Sequence, residues 1–227
     1  MRSEPLRKSQ ENTMKYRTPF VKLTLATSLL VILLCTATGQ QPPGSAPAMS
    51  NIDQRFYAAL AEAAVRAGLE TTKKSGGGGG GAFAEVRSEG GILVGFDVWQ
   101  GNWAGHRIIR GIRPIFQTAI GRVRGKSHGY APGKPATTVE AKEGYAVAAL
   151  HARGGQRLDG FQVLFWKVRT STARLDADGA YKSDWIGGQG GGKTKHPLSS
   201  DGRPVLGIFG ASGADVDRMG LIYADPK

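Results

Sequence analysis

Two stretches of the 227-residue chain share the spacing G-x-x-x-D: Gly155-Gln156-Arg157-Leu158-Asp159 and Gly213-Ala214-Asp215-Val216-Asp217. A carboxylate only accepts hydrogen bonds and can engage two donors at once. Glycine beside it lets backbone amides approach a bound group with no Cβ in the way. Gly and Asp also punctuate hairpin turns for backbone reasons alone, so a ligand site and a plain turn both remain open. A third stretch, Gly187-Gly-Gln-Gly-Gly-Gly-Lys193-Thr194, matches the phosphate-loop pattern G-x-x-x-x-G-K-[ST]. That loop works only ahead of a helix whose N-terminus faces the phosphates, and Pro197 and Gly202 leave no room for one. Leu175-Asp-Ala-Asp178-Gly179 lacks the further acids and the closing Glu of a calcium loop. The four histidines, at 106, 128, 151 and 196, have no metal-ligand spacing, and no G-x-S-x-G is present. No carboxylate pair of glycosidase type is identifiable. Catalysis, a metal and a cofactor are therefore not expected.

The elements that must position these residues repeat. Three stretches end in one ungapped eight-residue pattern: Ile109–Phe116, Leu158–Phe165 and Val216–Tyr223. Each follows another apolar strand, Ile92–Val98, Ala146–Ala152 and Val205–Gly210, and the first copy carries five extra residues around Asn102–His106. A glycine-rich loop precedes each strand pair: Gly76–Gly81, the stretch holding Gly121, Gly125, Gly129 and Gly133, and Gly187–Gly192. Short β-branched and aromatic runs between Gly, Asp, Asn and Pro clusters give an all-β signature. Three such units can share one core about a pseudo-threefold axis. The 152 residues from 76 to 227 are enough to bury about 68–70% of their unfolded surface. Trp99, Trp166 and Trp185 are expected in the core. Trp103, between Gly101 and Gly105, is expected to be exposed, where its ring could stack on a sugar face.

The closing hairpin, Gly207–Tyr223 with its G-x-x-x-D turn, resembles the C-terminal hairpin of jacalin-related lectins, and the ordered threefold set extends that likeness over 76–227. The resemblance implies a β-prism of three four-stranded Greek-key sheets. It further implies metal-independent binding of mannose-, glucose- or galactose-type sugars, the Asp accepting from two adjacent hydroxyls while amides of the same turn and a facing glycine loop close the site. Carried onto this sequence, Gly213, Ala214, Asp215, Val216 and Asp217 would face Gly80 and Gly81. Gly155, Gln156, Arg157, Leu158 and Asp159 would face Gly187 and Gly188. The first repeat departs from the pattern, with Arg110 in place of the Asp and no adjacent glycines in its partner loop, so two sites are implied.

Residues 1–39 read as a targeting segment: six basic residues, an apolar run Leu23–Leu34, and small residues at Ala37 and Gly39. A cleaved signal peptide, an uncleaved membrane anchor and lipidation at Cys35 are the alternatives, and each places the rest outside the cytoplasm. Residues 40–49 form a Pro/Ser/Ala linker. Residues 50–69 suit an amphipathic helix with Ile52, Phe56, Leu60, Ala63 and Ala67 on one face, to dock on the domain or on a partner helix. The full chain is +12, and without 1–39 it keeps 24 Lys+Arg and 16 Asp+Glu, a net +8. A cationic exported protein is drawn to anionic surfaces, whereas nucleic acid is a poor fit to that compartment and no block of like charges exists. The alternative to a lectin is a non-catalytic surface or envelope protein of the same fold that binds an anionic polysaccharide or a protein. Membrane contact is expected only through the N-terminal segment, and association into a homo-oligomer stays open.

Overall fold

Alternating inward side chains along the long hairpins build the core. In the computed structural model, which describes residues 51–66 and 69–224, three antiparallel sheets each centre on one hairpin. The first pairs Ile92–Trp103 with His106–Thr118, the second Tyr145–Gly154 with Leu158–Arg169, and the third Val205–Ser212 with Val216–Tyr223. Each hairpin gains a strand on either side, giving a path of four strands per sheet, and two-residue strands extend each. The result is the expected β-prism.

The chain closes the prism on itself. The first glycine loop does not join the first hairpin. Its flanking segments, Ser75–Gly76 and Gly81–Val86, pair with the two strands of the third hairpin, and Glu70–Thr71 extends the same sheet. The segment around Gly129 pairs with the first hairpin and that around Gly187 with the second.

Each sheet turns one face inward. Phe96, Ile112, Leu150, Phe161, Ile208 and Leu221 are among its fully buried residues, and the rings of Phe96 and Phe161 meet edge to face at 5.6 Å. The helix Asn51–Val65 adds Phe56, Leu60 and Ala63 to that same core. It docks on the prism, and a Cβ on Gly90 would stand 2.4 Å from the Tyr57 carbonyl oxygen. The turn residues 170–173 border it as well. The helix thus covers the end of the prism where strand Ile92–Trp103 begins, away from the turn that closes the first hairpin. The expected targeting segment, linker and Cys35, with Ala67 and Gly68, lie outside the described residues. The one described helix is too short to cross a membrane.

Candidate functional site

At the other end, one backbone arrangement occurs three times. Gly76, Gly129 and Gly187 have φ of +121°, +80° and +92°. A Cβ on them would lie 2.0, 2.3 and 2.5 Å from the carbonyl oxygens of Asp217, Arg110 and Asp159. The following N–H donates to the same oxygen each time: Gly77 to Asp217 at 2.8 Å, Tyr130 to Arg110 at 3.0 Å and Gly188 to Asp159 at 2.7 Å. Only glycine fits such a close approach with positive φ. The backbone is therefore held alike in all three repeats, and what differs is the side chain: Asp, Arg, Asp.

Three and four residues beyond these glycines the loop crosses the side chain. A Cβ on Gly79 or Gly80 would fall 2.6 or 2.3 Å from an Asp217 carboxylate oxygen, and one on Gly190 or Gly191 would fall 2.7 or 2.6 Å from an Asp159 oxygen. These pairs face the carboxylates, rather than the expected Gly80–Gly81 and Gly187–Gly188. Gly81 already belongs to a strand, Gly187 packs on the Asp159 backbone, and Gly188 packs on the Arg107 carbonyl. Aligning the three loops on Gly76, Gly129 and Gly187 gives the correct offset, with Pro132–Gly133 in the first repeat. Arginines hold the loop carbonyls: Arg218 donates to Gly77 and Gly79, and Arg153 donates to Gly190 and Gly191.

Of the other expected site residues, Leu158 and Val216 point into the core, so only their backbone belongs to the turn. Gly155, Gln156, Gly213 and Ala214 are exposed on it. The two turns are alike, the Gly155 amide donating to the Arg157 carbonyl and the Gly213 amide to that of Asp215.

The two aspartates differ in what covers them. Arg157, from the second hairpin, reaches across to the third and places Nη1 2.8 Å from Asp217 Oδ1 and Nε 3.3 Å from Asp215 Oδ2. Its guanidinium also lies over the Trp103 ring at 5.1 Å. Asp217 is left 3% exposed. The first-repeat position is closed in the opposite sense, the Arg110 guanidinium standing 3.3 Å from Asp215 and over Tyr130. Of the two aspartates, only Asp159 has no cation within ion-pair distance among the described residues. Burial pushes its pKa up, a shift opposed by the Gly155 amide and by the charges of His106 and Arg153. It borders a cavity of about 170 Å³ walled by Trp103, His106, Arg157, Gly190 and Gly191.

Trp103 and His106 reach that cavity because the first hairpin is extended. They pair across a turn in which Ala104 and Gly105 both have positive φ, 48° and 80°, as a two-residue hairpin turn requires. Trp103 is 37% exposed and Trp99 buried, as expected, whereas Trp166 and Trp185 are half-buried. Sequence reading missed His106 and the ion pairs of Arg157 and Asp215.

The phosphate-loop match has no helix after it. Lys193 lies in a strand, and the Thr194 hydroxyl accepts from the Ala152 amide. Asp176 of the calcium-like stretch is held by Arg169 within a strand. No group of three metal-ligating side chains occurs among the described residues.

No protein-family model matches the sequence, and no curated protein matches it. Solved structures do. Artocarpin, a lectin with mannose specificity, superposes with a TM-score of 0.53 at 13% identity, over 70% of this chain and 99% of its own. A mannose-binding jacalin-related lectin from Ananas comosus gives 0.51 at 15% identity over the same shares. A lamprey immune protein gives 0.50 at 22% identity, over 68% of this chain but 44% of its own. At these identities the likeness is one of fold: a jacalin-type β-prism.

Proposed function

We propose that this prism is a non-catalytic, metal-independent carbohydrate-binding protein whose open site is the Asp159 cradle. The observation that supports the reading is the buried Asp159 carboxylate, backed by Gly190 and Gly191, uncovered by any guanidinium and bordering a cavity. There it would accept hydrogen bonds from two neighbouring hydroxyls, a charge-assisted arrangement. Arg153 occupies the loop carbonyls, which leaves the amides of Gly190 and Gly191 as donors to ring or exocyclic oxygens. Trp103 offers an apolar face for the sugar's C–H side. About 170 Å³ lies below the roughly 300–1,000 Å³ of pockets for larger ligands, so one mannose-, glucose- or galactose-type ring is held and the rest of a glycan stays outside.

The test is glycan-array binding by the full chain, with chelator and at two salt concentrations, beside Asp159→Ala and Asp217→Ala. Neutral hexose binding that survives chelator and salt, vanishes in Asp159→Ala and persists in Asp217→Ala is expected. Loss only in Asp217→Ala, or silence on every neutral sugar, overturns the reading.

We further propose export, on the basic stretch and apolar run of residues 1–39. N-terminal sequencing of the mature protein from its host should begin near residue 40. An uncleaved chain recovered from the cytosol refutes it.

A further inference from the structure

A cleft of about 560 Å³ runs between two segments that belong to different sheets. One wall, residues 71–74, is fixed by Thr71 pairing with Ile222 and by the Thr72 amide donating to the Leu221 carbonyl. The other, residues 194–201, is fixed by Thr194 donating to Ala152 and by Leu198 pairing with Leu150. Lys73 and Lys74 stand on the first wall, Lys195 and His196 on the second, and all four are exposed. The one acid on the lining is Asp201.

Several surface arginines are paired with acids, Arg122 and Arg124 with Glu140 and Arg169 with Asp176, and at the edge of the cleft Glu70 is taken up by Arg203. No carboxylate lies within ion-pair distance of Lys73, Lys74 or Lys195 among the described residues. Two firm walls thus face each other with unbalanced positive charge, a geometry that concentrates field in the cleft and attracts anions.

We propose that this cleft binds an anionic stretch of polysaccharide, carrying sulfate or carboxylate groups, independently of the Asp159 cradle. Its lining argues for a glycan over other polyanions. The one Phe, Tyr or Trp there, Tyr223, is 7% exposed and carries the Arg203 guanidinium at 4.2 Å, so that ring is not open to a stacking nucleobase. None of the exposed large apolar residues, Val65, Trp103, Ile120 and Tyr130, borders the cleft, so it lacks the apolar face that inserts into a lipid surface. Thr71, Thr72, Thr194 and Ser199 line it instead.

The experiment titrates the full chain with a heparin-type sulfated oligosaccharide, a polyuronate, inorganic sulfate and phosphatidylserine vesicles, at low and high salt. At least one polysaccharide should bind, with affinity falling as salt screens the charges. Lys73→Ala/Lys74→Ala/Lys195→Ala should weaken it by about tenfold, about 1.4 kcal/mol shared among three lysines, which gives each the strength of an ordinary exposed ion pair. The same variant should keep its melting temperature and its neutral-sugar binding. Lys126→Ala/Lys134→Ala/Lys167→Ala, three lysines off the cleft lining, should bind as the parent does. Equal weakening in both triple variants means diffuse charge and overturns the site. Sulfate ion binding as tightly as the oligosaccharide, or vesicles binding where polysaccharides do not, overturns the ligand.

Discussion

Removing the Arg157 side chain should convert a one-site protein into a two-site one. Arg157 Nη1 lies 2.8 Å from Asp217 and the aspartate is buried beneath it, so Arg157→Ala leaves an unpaired carboxylate. Breaking a fully buried pair costs about 3–5 kcal/mol. Arg157 retains 27% side-chain exposure, and Arg110 still stands 3.3 Å from Asp215, so about 1–3 kcal/mol is appropriate. For a chain of this size that is a fall in melting temperature of about 2–12 °C. Water, and then a sugar, can take the place of the guanidinium between Gly79–Gly80 and Asp217. Because Arg157 also walls the Asp159 cavity, the clean measurement is in Arg157→Ala/Asp159→Ala, where only the Asp217 cradle is left. Calorimetric titration should return one site in the parent, none in Asp159→Ala and one in the double variant, abolished again by Asp217→Ala. Sugar at about 100 times its Kd should also restore about 2.7 kcal/mol to the double variant. A folded double variant that binds nothing, or a parent that already titrates two sites, refutes the idea that Arg157 closes the cradle.

Leu60→Ala should cost about 2–5 kcal/mol, because the side chain is fully buried in the prism core. Sugar affinity below the melting point should hold, since the helix covers the end away from the first hairpin's turn, and thermal melts with calorimetry check both. Asp159→Asn should abolish sugar binding yet raise the melting temperature at neutral pH. Burial raises that carboxyl's folded pKa, so its contribution to stability is present below the unfolded pKa and lost as pH rises through the folded one. Glu85 works in the opposite direction. Burial would raise its pKa, but the His128 hydrogen bond, the Lys126 amide and the nearby positive charges bring it below the ordinary value. Its stabilisation is therefore present above the unfolded pKa and lost as pH falls through the depressed one. Melting temperature against pH should drop through the acid range in the parent and drop less steeply in Glu85→Gln.

The hairpins were readable because strand burial repeats with period two and the three copies agree without a gap, so Leu158 and Val216 could be placed opposite Ile109. Where the helix went was not readable. Phe56, Leu60 and Ala63 suit either the prism or a partner helix, and the glycine that admits the helix, Gly90, sits in a loop with no signature. Closure of the ring was legible only through the resemblance to jacalin-related lectins, which sets the last hairpin's turn against Gly80 and Gly81. The loop at 76–81 precedes the first hairpin in the chain but pairs with the last, and nothing local to it says so.

The state of each cradle depends on contacts between hairpins, and there sequence alone is weakest. In the threefold register, the residue two before the key position of one hairpin reaches the key position of its neighbour. Arg157 meets Asp217, and Asp215 meets Arg110, opposite charges both times. The equivalent residue in the first hairpin is Ile108, apolar, buried and unable to pair, and Trp103 and His106 of the extended hairpin border the Asp159 cavity instead. Two G-x-x-x-D turns that read alike are thus sorted into one closed and one open cradle by residues fifty to sixty positions away in the chain. Exchange of Arg157 for an apolar residue should open the Asp217 cradle while leaving every G-x-x-x-D turn and glycine loop as it was. If the open cradle is the sugar site we propose, the neighbour's side chain sets how many such sites a prism offers, and a count of motifs overstates it.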